Sequence, residues 1–522
     1  MDIDASQYAE ISREMHQTGS YLQLYDRGNE YLDKPPFLFW VSSLGLAVFG
    51  IGNIGYKLPS ILFALWAIYA TYRLAKLLYG EATGRMAALI LGTCQGMFLM
   101  TNDIRTDTIL MSWVITAVWM IKEAEIKRTW KNVVGGCAAI AFGMMTKGPI
   151  ALLVPLFCFG SDWLLKRKWK QIFSLYHLLD AVIIAIFLIP MSIGLYQQFD
   201  MHPEKTVNGL TNVSGLRFFY WSQSFGRITG ESPWNNGAKL DFLLVNMLWS
   251  FLPWIFLFIP ALVINVIQLI KQKFRLKEGQ EWITTGGFLL AYLALGSSHY
   301  QLPHYIFVVF PLAAIITARF VQQLVEEKKY AGLYKFFKPF QVVISSLLFV
   351  AVLLTLTIVF PTGLTGIILW GIAVAAWLYI VSKNKENRFI WASAAAIIIA
   401  NIFLTHHFYY TLLSYQVGNE TGKYIAQNNI PTAQVVHYKM NDPLNALHYY
   451  SNGVITSDST QIASGKYVLT TEEGKQSIAD KGYNYSILKQ GAFFKVSELT
   501  PDFLGNNTRS KATTPYYFLK LQ

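Results

Sequence analysis

The chain has 522 residues, 53% hydrophobic and 14% charged, with a formal net charge of +12. That is too little charge to cover a water-soluble domain, and apolar runs recur along most of the length, so neither one core nor one leader segment accounts for them. The basic residues cluster in short loops between those runs, as the positive-inside rule predicts, which argues against nucleic acid as partner.

A membrane helix needs roughly 20 apolar residues. In chain order the predicted spans are Leu58–Leu78, Gly84–Met100, Thr106–Ile121, Val133–Thr146, Gly148–Leu165, Ala181–Leu195, Phe242–Ile270, Ile283–Gly296, Ile306–Phe320, Val342–Phe360, Leu364–Val381 and Ile390–Thr405. Val133–Thr146 and Gly148–Leu165 also read as one tight helical hairpin. The basic loops Arg73/Lys76/Arg85, Lys127–Lys131, Lys166–Lys170, Lys271–Lys277, Lys328–Lys338 and Lys383–Arg388 all fall on one side if the spans alternate, and that side is expected to be the cytoplasm. The outer side then receives residues 1–57, the loop 196–241 and the tail 406–522. No apolar segment precedes residues 1–57 to carry them across, so a further helix is expected ahead of them. The tail reads as a small soluble α/β domain. Its expected strands are Gln434–Tyr438, Lys466–Thr470 and Phe493–Val496, and its expected helices Leu444–Tyr450 and Glu473–Lys481. It shows no catalytic motif. Cys94, Cys137 and Cys158 all sit in apolar runs, an odd count that suits packing better than disulfides or a thiolate metal site.

The residues that suit chemistry gather on the outer side. Asp4 to Met15 fits an amphipathic helix with Tyr8, Ile11 and Met15 on one side. Asp4 there is either its N-cap or a carboxylate that binds or deprotonates a substrate hydroxyl. Asp33 and Lys34 precede two prolines and an aromatic stretch, which places the ammonium for a lipid phosphate or for plain snorkelling. Asp103, Arg105 and Asp107 crowd a short turn between spans, as a functional cluster or an Arg–Asp tie between helices. Lys147, before Gly148-Pro149, is costly near the membrane unless it meets an anion. Arg217 to Trp234 interleaves aromatics with Arg227, a pattern for sugar stacking and phosphate contact or for a belt on the lipid surface. His299 and His304 together with Asp33 are candidate metal ligands, with a metal-free site the preferred reading. No Walker motif, dinucleotide fingerprint, haem or iron–sulfur motif is present.

Asp4 with Tyr8–Met15 (YAEISREM), Tyr31–Pro36 (YLDKPP), Lys57–Ser60 (KLPS), Arg105–Asp107 (RTD), Lys147–Pro149 (KGP) and Leu302–Tyr305 (LPHY) occur in this order. The set resembles the GT-C-fold transferases, nearest the aminoarabinose (lipid A) transferases and protein O-mannosyltransferases, over Met1 to about Phe320. The resemblance implies an α-helical polytopic membrane fold with an outer-face cavity for a polyprenyl-phosphate sugar. It implies that Asp4 is the essential acid, that Lys34, Arg227 and Tyr305 meet the carrier phosphate, and that Asp33 stands where relatives carry an acid able to meet a metal. Where relatives carry an Asp-Glu pair this chain reads Asp4-Ala5, so a second carboxylate is missing there. The family also begins with a membrane helix ahead of its first outer loop.

The expected function is therefore a membrane glycosyltransferase, with a lipid A-like lipid, a glycan or a protein as acceptor. Lys34, Arg227, Tyr305 and Lys147 bind the donor, Asp33, Arg105, Asp107, His299 and His304 line the cavity, and one displacement inverts the anomeric centre. No cofactor is required, with a divalent metal as the alternative. A bacterial inner membrane with a periplasmic tail is the expected location. A transporter or lipid flippase is the alternative from another class, although no inverted repeat is visible and the charges gather on one face.

Overall fold

The computed structural model describes residues 3–223, 226, 229, 231, 235–384, 387–440, 444–457, 460 and 462–522. Among them, six helices are long and apolar enough to cross a membrane: Asn53–Tyr79, Trp169–Asp200, Pro303–Val325, Ala331–Val359, Gly363–Lys383 and Arg388–Leu413. Shorter apolar helices pack between them, including Phe37–Phe49, Ile150–Leu165, Ile255–Lys271 and Ile283–Gly296. Large side chains such as Leu62, Leu65, Leu178, Leu369 and Ile372 stand exposed, a surface that suits lipid and not water. The protein is a multi-pass α-helical membrane protein.

Helix α1 (Ile3–Thr18) is followed by a short hairpin of β1 (Tyr25–Asp26) and β2 (Asn29–Glu30), then by α2 (Phe37–Phe49) and α3 (Asn53–Tyr79). Lys57 thus lies one turn inside α3, not ahead of it. The turn between α2 and α3 is tight because it is built of glycine: a Cβ on Gly45 would stand 2.2 Å from the Gly55 carbonyl oxygen. The expected Gly84–Met100 span is two helices, α4 (Glu81–Gly92) and α5 (Gln95–Asn102), and Phe242–Ile270 is likewise two, α10 (Phe242–Ser250) and α11 (Ile255–Lys271). The two breaks meet. The Gln95 N–H donates to the Leu252 carbonyl at 3.0 Å, and the Trp254 indole donates to the Thr93 hydroxyl at 3.0 Å. Each break so satisfies backbone or polar groups that the other leaves free, which lets both persist in an apolar bundle.

Helices α6 (Thr106–Ile126), α7 (Trp130–Lys147) and α8 (Ile150–Leu165) follow. The Thr129 hydroxyl caps α7 by accepting the Asn132 N–H. The expected α7–α8 hairpin is present, turning at Gly148 with φ +96°, and a Cβ on Gly143 would come within 2.7 Å of the Ala151 Cβ. Helix α9 (Tyr176–Leu195) runs on through Asp200. In the loop that follows, the Asp200 carboxylate accepts from the Ser214 hydroxyl at 2.5 Å and the Gly215 N–H at 3.0 Å. Helix α12 (Ile283–Gly296) leads to a 3-10 turn (Pro303–Val309) and α13 (Phe310–Val325). Helices α14 (Ala331–Leu354), α15 (Gly363–Lys383) and α16 (Arg388–Phe403) complete the bundle. The last does not stop at Thr405 but continues to Leu413. Cys94, Cys137 and Cys158 are buried and free.

The tail folds around a four-stranded sheet in the order β3 (Val435–Tyr438), β4 (Tyr467–Thr471), β6 (Thr514–Leu521), β5 (Tyr485–Phe493). The β3–β4 pair is parallel and the others antiparallel. The third strand ends at Phe493 instead of beginning there. Helix α18 (Asn445–Ser451) crosses α17 (Val417–Gln427) at Gly422, where a Cβ would lie 2.8 Å from the Tyr450 Cβ and 3.0 Å from the Leu447 carbonyl oxygen. Its other side covers α1, so α1 is buried on both faces: Tyr8, Ile11 and Met15 on one side, Glu10 and Arg13 also buried. The polar face of this amphipathic helix is closed by the tail, and Arg13 Nε donates to Glu10 at 2.8 Å inside the contact.

His448, on α18, is 3% exposed, and its Nδ1 accepts the Ile455 N–H at 3.0 Å. Burial, with the charge of Arg27 and then His437 adding, pushes its pKa down to about 3; Asp26 opposes this and Arg13 adds slightly. His448 is therefore neutral when folded and charges first in the unfolded chain. Stability is full above the ordinary histidine value and falls as the pH drops from about 6.5 towards 3. About 2 kcal/mol is expected to be lost between pH 7 and pH 5. Burial raises the Glu10 carboxyl and opposes this trend, so the comparison is with His448→Asn, which keeps an acceptor for Ile455. Thermal melts in detergent should show a flatter acid limb for the variant; identical limbs would refute the assignment.

Candidate active site

The ends of the helices opposite the basic loops bring together charged residues from segments far apart in sequence. Asp4 lies within the first turn of α1, not at its cap, and its carboxylate accepts from Arg105 Nη1 at 2.6 Å. Arg105 Nε holds Asp103 at 2.9 Å. One guanidinium so bridges two carboxylates, and the two charges raise its pKa against the cost of its burial. Asp107 goes elsewhere. It sits in the first turn of α6, where the helix dipole favours an anion, and pairs with Lys147 Nζ at 2.6 Å, in the last turn of α7, where the dipole favours a cation. The expected tie between helices is therefore made by Asp107 with Lys147, while Arg105 reaches α1.

His304 packs on the same carboxylate, 3.6 Å from Asp107 Oδ2, and faces the charges of Lys147, Arg105 and Lys34. Its ring meets Tyr305 edge-on, and Lys147 Nζ lies 4.1 Å from the Tyr305 ring centroid. Lys34 pairs with Asp33 at 2.6 Å, at the entry to α2. Gln223, from the long loop, donates to the Asp33 backbone carbonyl and lies 3.5 Å from its carboxylate. Tyr8, fully inside, faces Asp4, Asp33, Arg105 and Asp107, and burial first, then the Asp4 charge, raises its phenol pKa.

The structure thus gathers Asp4, Asp33, Lys34, Arg105, Asp107, Lys147, His304 and Tyr305. His299 is not among them. It is exposed, and its backbone carbonyl accepts the Asn236 N–H at 3.2 Å. Arg227 and Trp234 lie outside the described residues. Trp221 and Arg217 converge on Glu231 at the surface, at 3.1 and 3.9 Å. Asp33 and His304 are engaged by different partners, and among the described residues no three His, Cys, Asp or Glu side chains are grouped to hold a metal. The suggested Asp33–His299–His304 donor set does not fit this arrangement.

Two contributors escaped the site reading: Gln223 and Lys57, whose Nζ donates to the Asn102 carbonyl at 2.7 Å. A lysine one turn into an apolar helix was the available signal for Lys57. Gln223 carried none.

Residues 33–193 match the family described as dolichyl-phosphate-mannose-protein mannosyltransferase. The chain is 26% identical over 458 residues to the undecaprenyl phosphate-α-4-amino-4-deoxy-L-arabinose arabinosyl transferase of Edwardsiella ictaluri, covering 84% of this chain and 77% of that protein. The Pseudomonas aeruginosa (strain LESB58) protein of the same name is 25% identical, over 62% of this chain and 56% of its own length. In three dimensions the crystal structure of ArnT from Cupriavidus metallidurans bound to undecaprenyl phosphate superposes with a TM-score of 0.73 at 16% identity, over 99% of this chain and 93% of that one. The superposition shows the fold and the relatives are named as sugar transferases: the chain is a membrane glycosyltransferase with a GT-C-like fold, similar to the undecaprenyl-phosphate aminoarabinose transferases.

Proposed function

We propose that the protein transfers a sugar from a polyprenyl-phosphate carrier to a lipid A-like acceptor on the periplasmic face of the bacterial inner membrane, where the tail also lies. The observation that carries this reading is the cluster in which Arg105 pairs with Asp4 and Lys147 with Asp107, each at 2.6 Å, with His304 3.6 Å from Asp107 and Lys34 held on Asp33, beside a carboxylate that keeps an open face: the Asp4 side chain is 38% exposed. Such a site offers cations for a leaving phosphate and an acid–base group for the acceptor or sugar. The names of the relatives supply the class of donor.

The acceptor oxygen attacks the anomeric carbon as the bond to the phosphate oxygen breaks, and the electron pair leaves with the polyprenyl phosphate. A single displacement inverts that centre. Lys34 exchanges Asp33 for the phosphate, and Lys147 with Tyr305 lines the same side. Arg227 would join them. If the acceptor is a hydroxyl, its proton passes to Asp4; if it is a phosphate oxygen, no base is needed and Asp4 holds a sugar hydroxyl. The scheme draws on no metal.

Membranes containing the protein would be given envelope lipid and radiolabelled undecaprenyl phosphate-4-amino-4-deoxy-L-arabinose, with other polyprenyl-phosphate sugars in parallel. Label is expected in a lipid product. Lys34→Ala should raise the donor KM about 10- to 100-fold, the loss of one charged hydrogen bond. No transfer from any carrier by the wild type would end the proposal.

A further inference from the structure

The C-terminal domain reaches the Asp4–Arg105 pair through two adjacent residues. Tyr56 is fully buried at the start of α3, and its hydroxyl donates to the Ala5 carbonyl at 2.8 Å, one residue from Asp4. The next residue, Lys57, donates to the Asn102 carbonyl at 2.7 Å, beside Asp103 and three residues before Arg105, the residue that precedes α6. This dipeptide therefore grips the helix that carries the carboxylate and the turn that carries its guanidinium. What grips the dipeptide is the tail. The Tyr449 ring lies 5.9 Å from the Tyr56 ring, its hydroxyl donates to the Gly52 carbonyl at 3.0 Å, and Tyr450 donates to Asn53 Oδ1 at 2.7 Å. Gln17 Nε2 donates to Asn452 Oδ1 at 2.9 Å at the far end of α1. Gly422 lets α18 sit close enough to present both tyrosines.

We propose that Tyr449 and Tyr56 are positioning residues: the C-terminal domain, by clamping the first turn of α3, sets the relative placement of Asp4 and Arg105. The proposal rests on the reading of Asp4 as the residue that acts on the acceptor or the sugar. A hydroxyl bond to a helix carbonyl holds the backbone without touching the reacting atoms, so its loss moves the carboxylate by a fraction of an ångström and slows the chemical step without weakening the hold on the carrier phosphate.

The test uses the full-length protein in membranes, with the aminoarabinose donor above and envelope lipid. Tyr56→Phe and Tyr449→Phe remove single hydroxyls and keep the rings. Each should lower kcat about three- to tenfold with donor KM unchanged. In an Asp4→Asn background neither should lower it further, because a misplaced carboxylate no longer matters once it is gone. A purely structural role would instead lower the melting temperature and the active fraction, and its effect would multiply with Asp4→Asn. Wild-type kcat in both tyrosine variants, with Asp4→Asn impaired, overturns the clamp alone. Full multiplication in the double variants overturns it too. Wild-type activity in Asp4→Asn overturns the reading of Asp4 and the clamp with it.

Discussion

An Asp4→Asn protein is expected to fold normally and to lose transfer to a hydroxyl acceptor by about 10²- to 10⁴-fold in kcat, with little change in donor KM. The carboxamide has the size of the carboxylate and keeps an oxygen for Arg105 Nη1, now at 2.6 Å from Asp4. It removes the charge and the ability to take a proton. With a phosphate acceptor the same change deletes one charge-assisted hydrogen bond to the sugar and should cost about 10- to 100-fold. The pH profile separates the two. If Asp4 is a base, the acid limb of kcat belongs to it and vanishes in the variant; if it only holds the sugar, the limb stays. Wild-type kcat with either kind of acceptor would remove Asp4 from the mechanism. Arg105→Lys should behave as a weaker copy, because a lysine cannot bridge Asp4 and Asp103 with one planar fork.

The site was legible to the extent that chemistry beside an apolar run is expensive. Asp4, Lys34, Arg105, Asp107 and Lys147 stand out because an ionisable group there needs a partner or a ligand. Which partner each takes was not legible. Asp4 finds Arg105 across 101 residues and Asp107 finds Lys147 across 40, choices made by how α1, α6 and α7 pack and not by local spacing. His299 and His304 look alike in the sequence, yet one is exposed in a loop and the other is packed on Asp107 by the 3-10 turn that follows Pro303. An apolar composition conceals the helix breaks at Thr93–Cys94 and Phe251–Trp254; the polar groups they free are satisfied by each other. In the tail, β6 is not among the expected strands although it is an inner strand of the sheet. Pro515 sits at its second position, where a missing N–H is tolerated at a strand end. Strand β5, with Lys489, Gln490 and Gly491 in its middle, lacks clean alternation because it is an edge. The cover of α18 over α1 has no sequence signal at all, and nothing in the spacing of Glu10 and Arg13 points to their burial.

The pair of Asp107 and Lys147 is the place where stability and activity should come apart most clearly. The Asp107 side chain is 1% exposed and that of Lys147 15%, and the two close at 2.6 Å between helices that otherwise touch through apolar residues. Two charges taken this far from water gain little net stability while paired, but removing one strands the other. Asp107→Ala is accordingly expected to cost about 3–5 kcal/mol, read as a lowered melting temperature in detergent. Lys147→Met should cost about the same or less, since His304 at 3.6 Å remains to face the carboxylate. The double replacement Asp107→Leu with Lys147→Met should recover most of the loss, because a well-packed apolar pair is often as stable as the buried ion pair it replaces. It should not recover transfer. Lys147 also faces Tyr305, on the side assigned to the leaving phosphate, and a methionine carries no charge to neutralise it. A double variant that melts like the wild type and still transfers sugar at the wild-type rate would confine Lys147 to the scaffold. Single variants within about 0.5 kcal/mol of the wild type would mean that water reaches the pair and that the site is wetter than its burial implies.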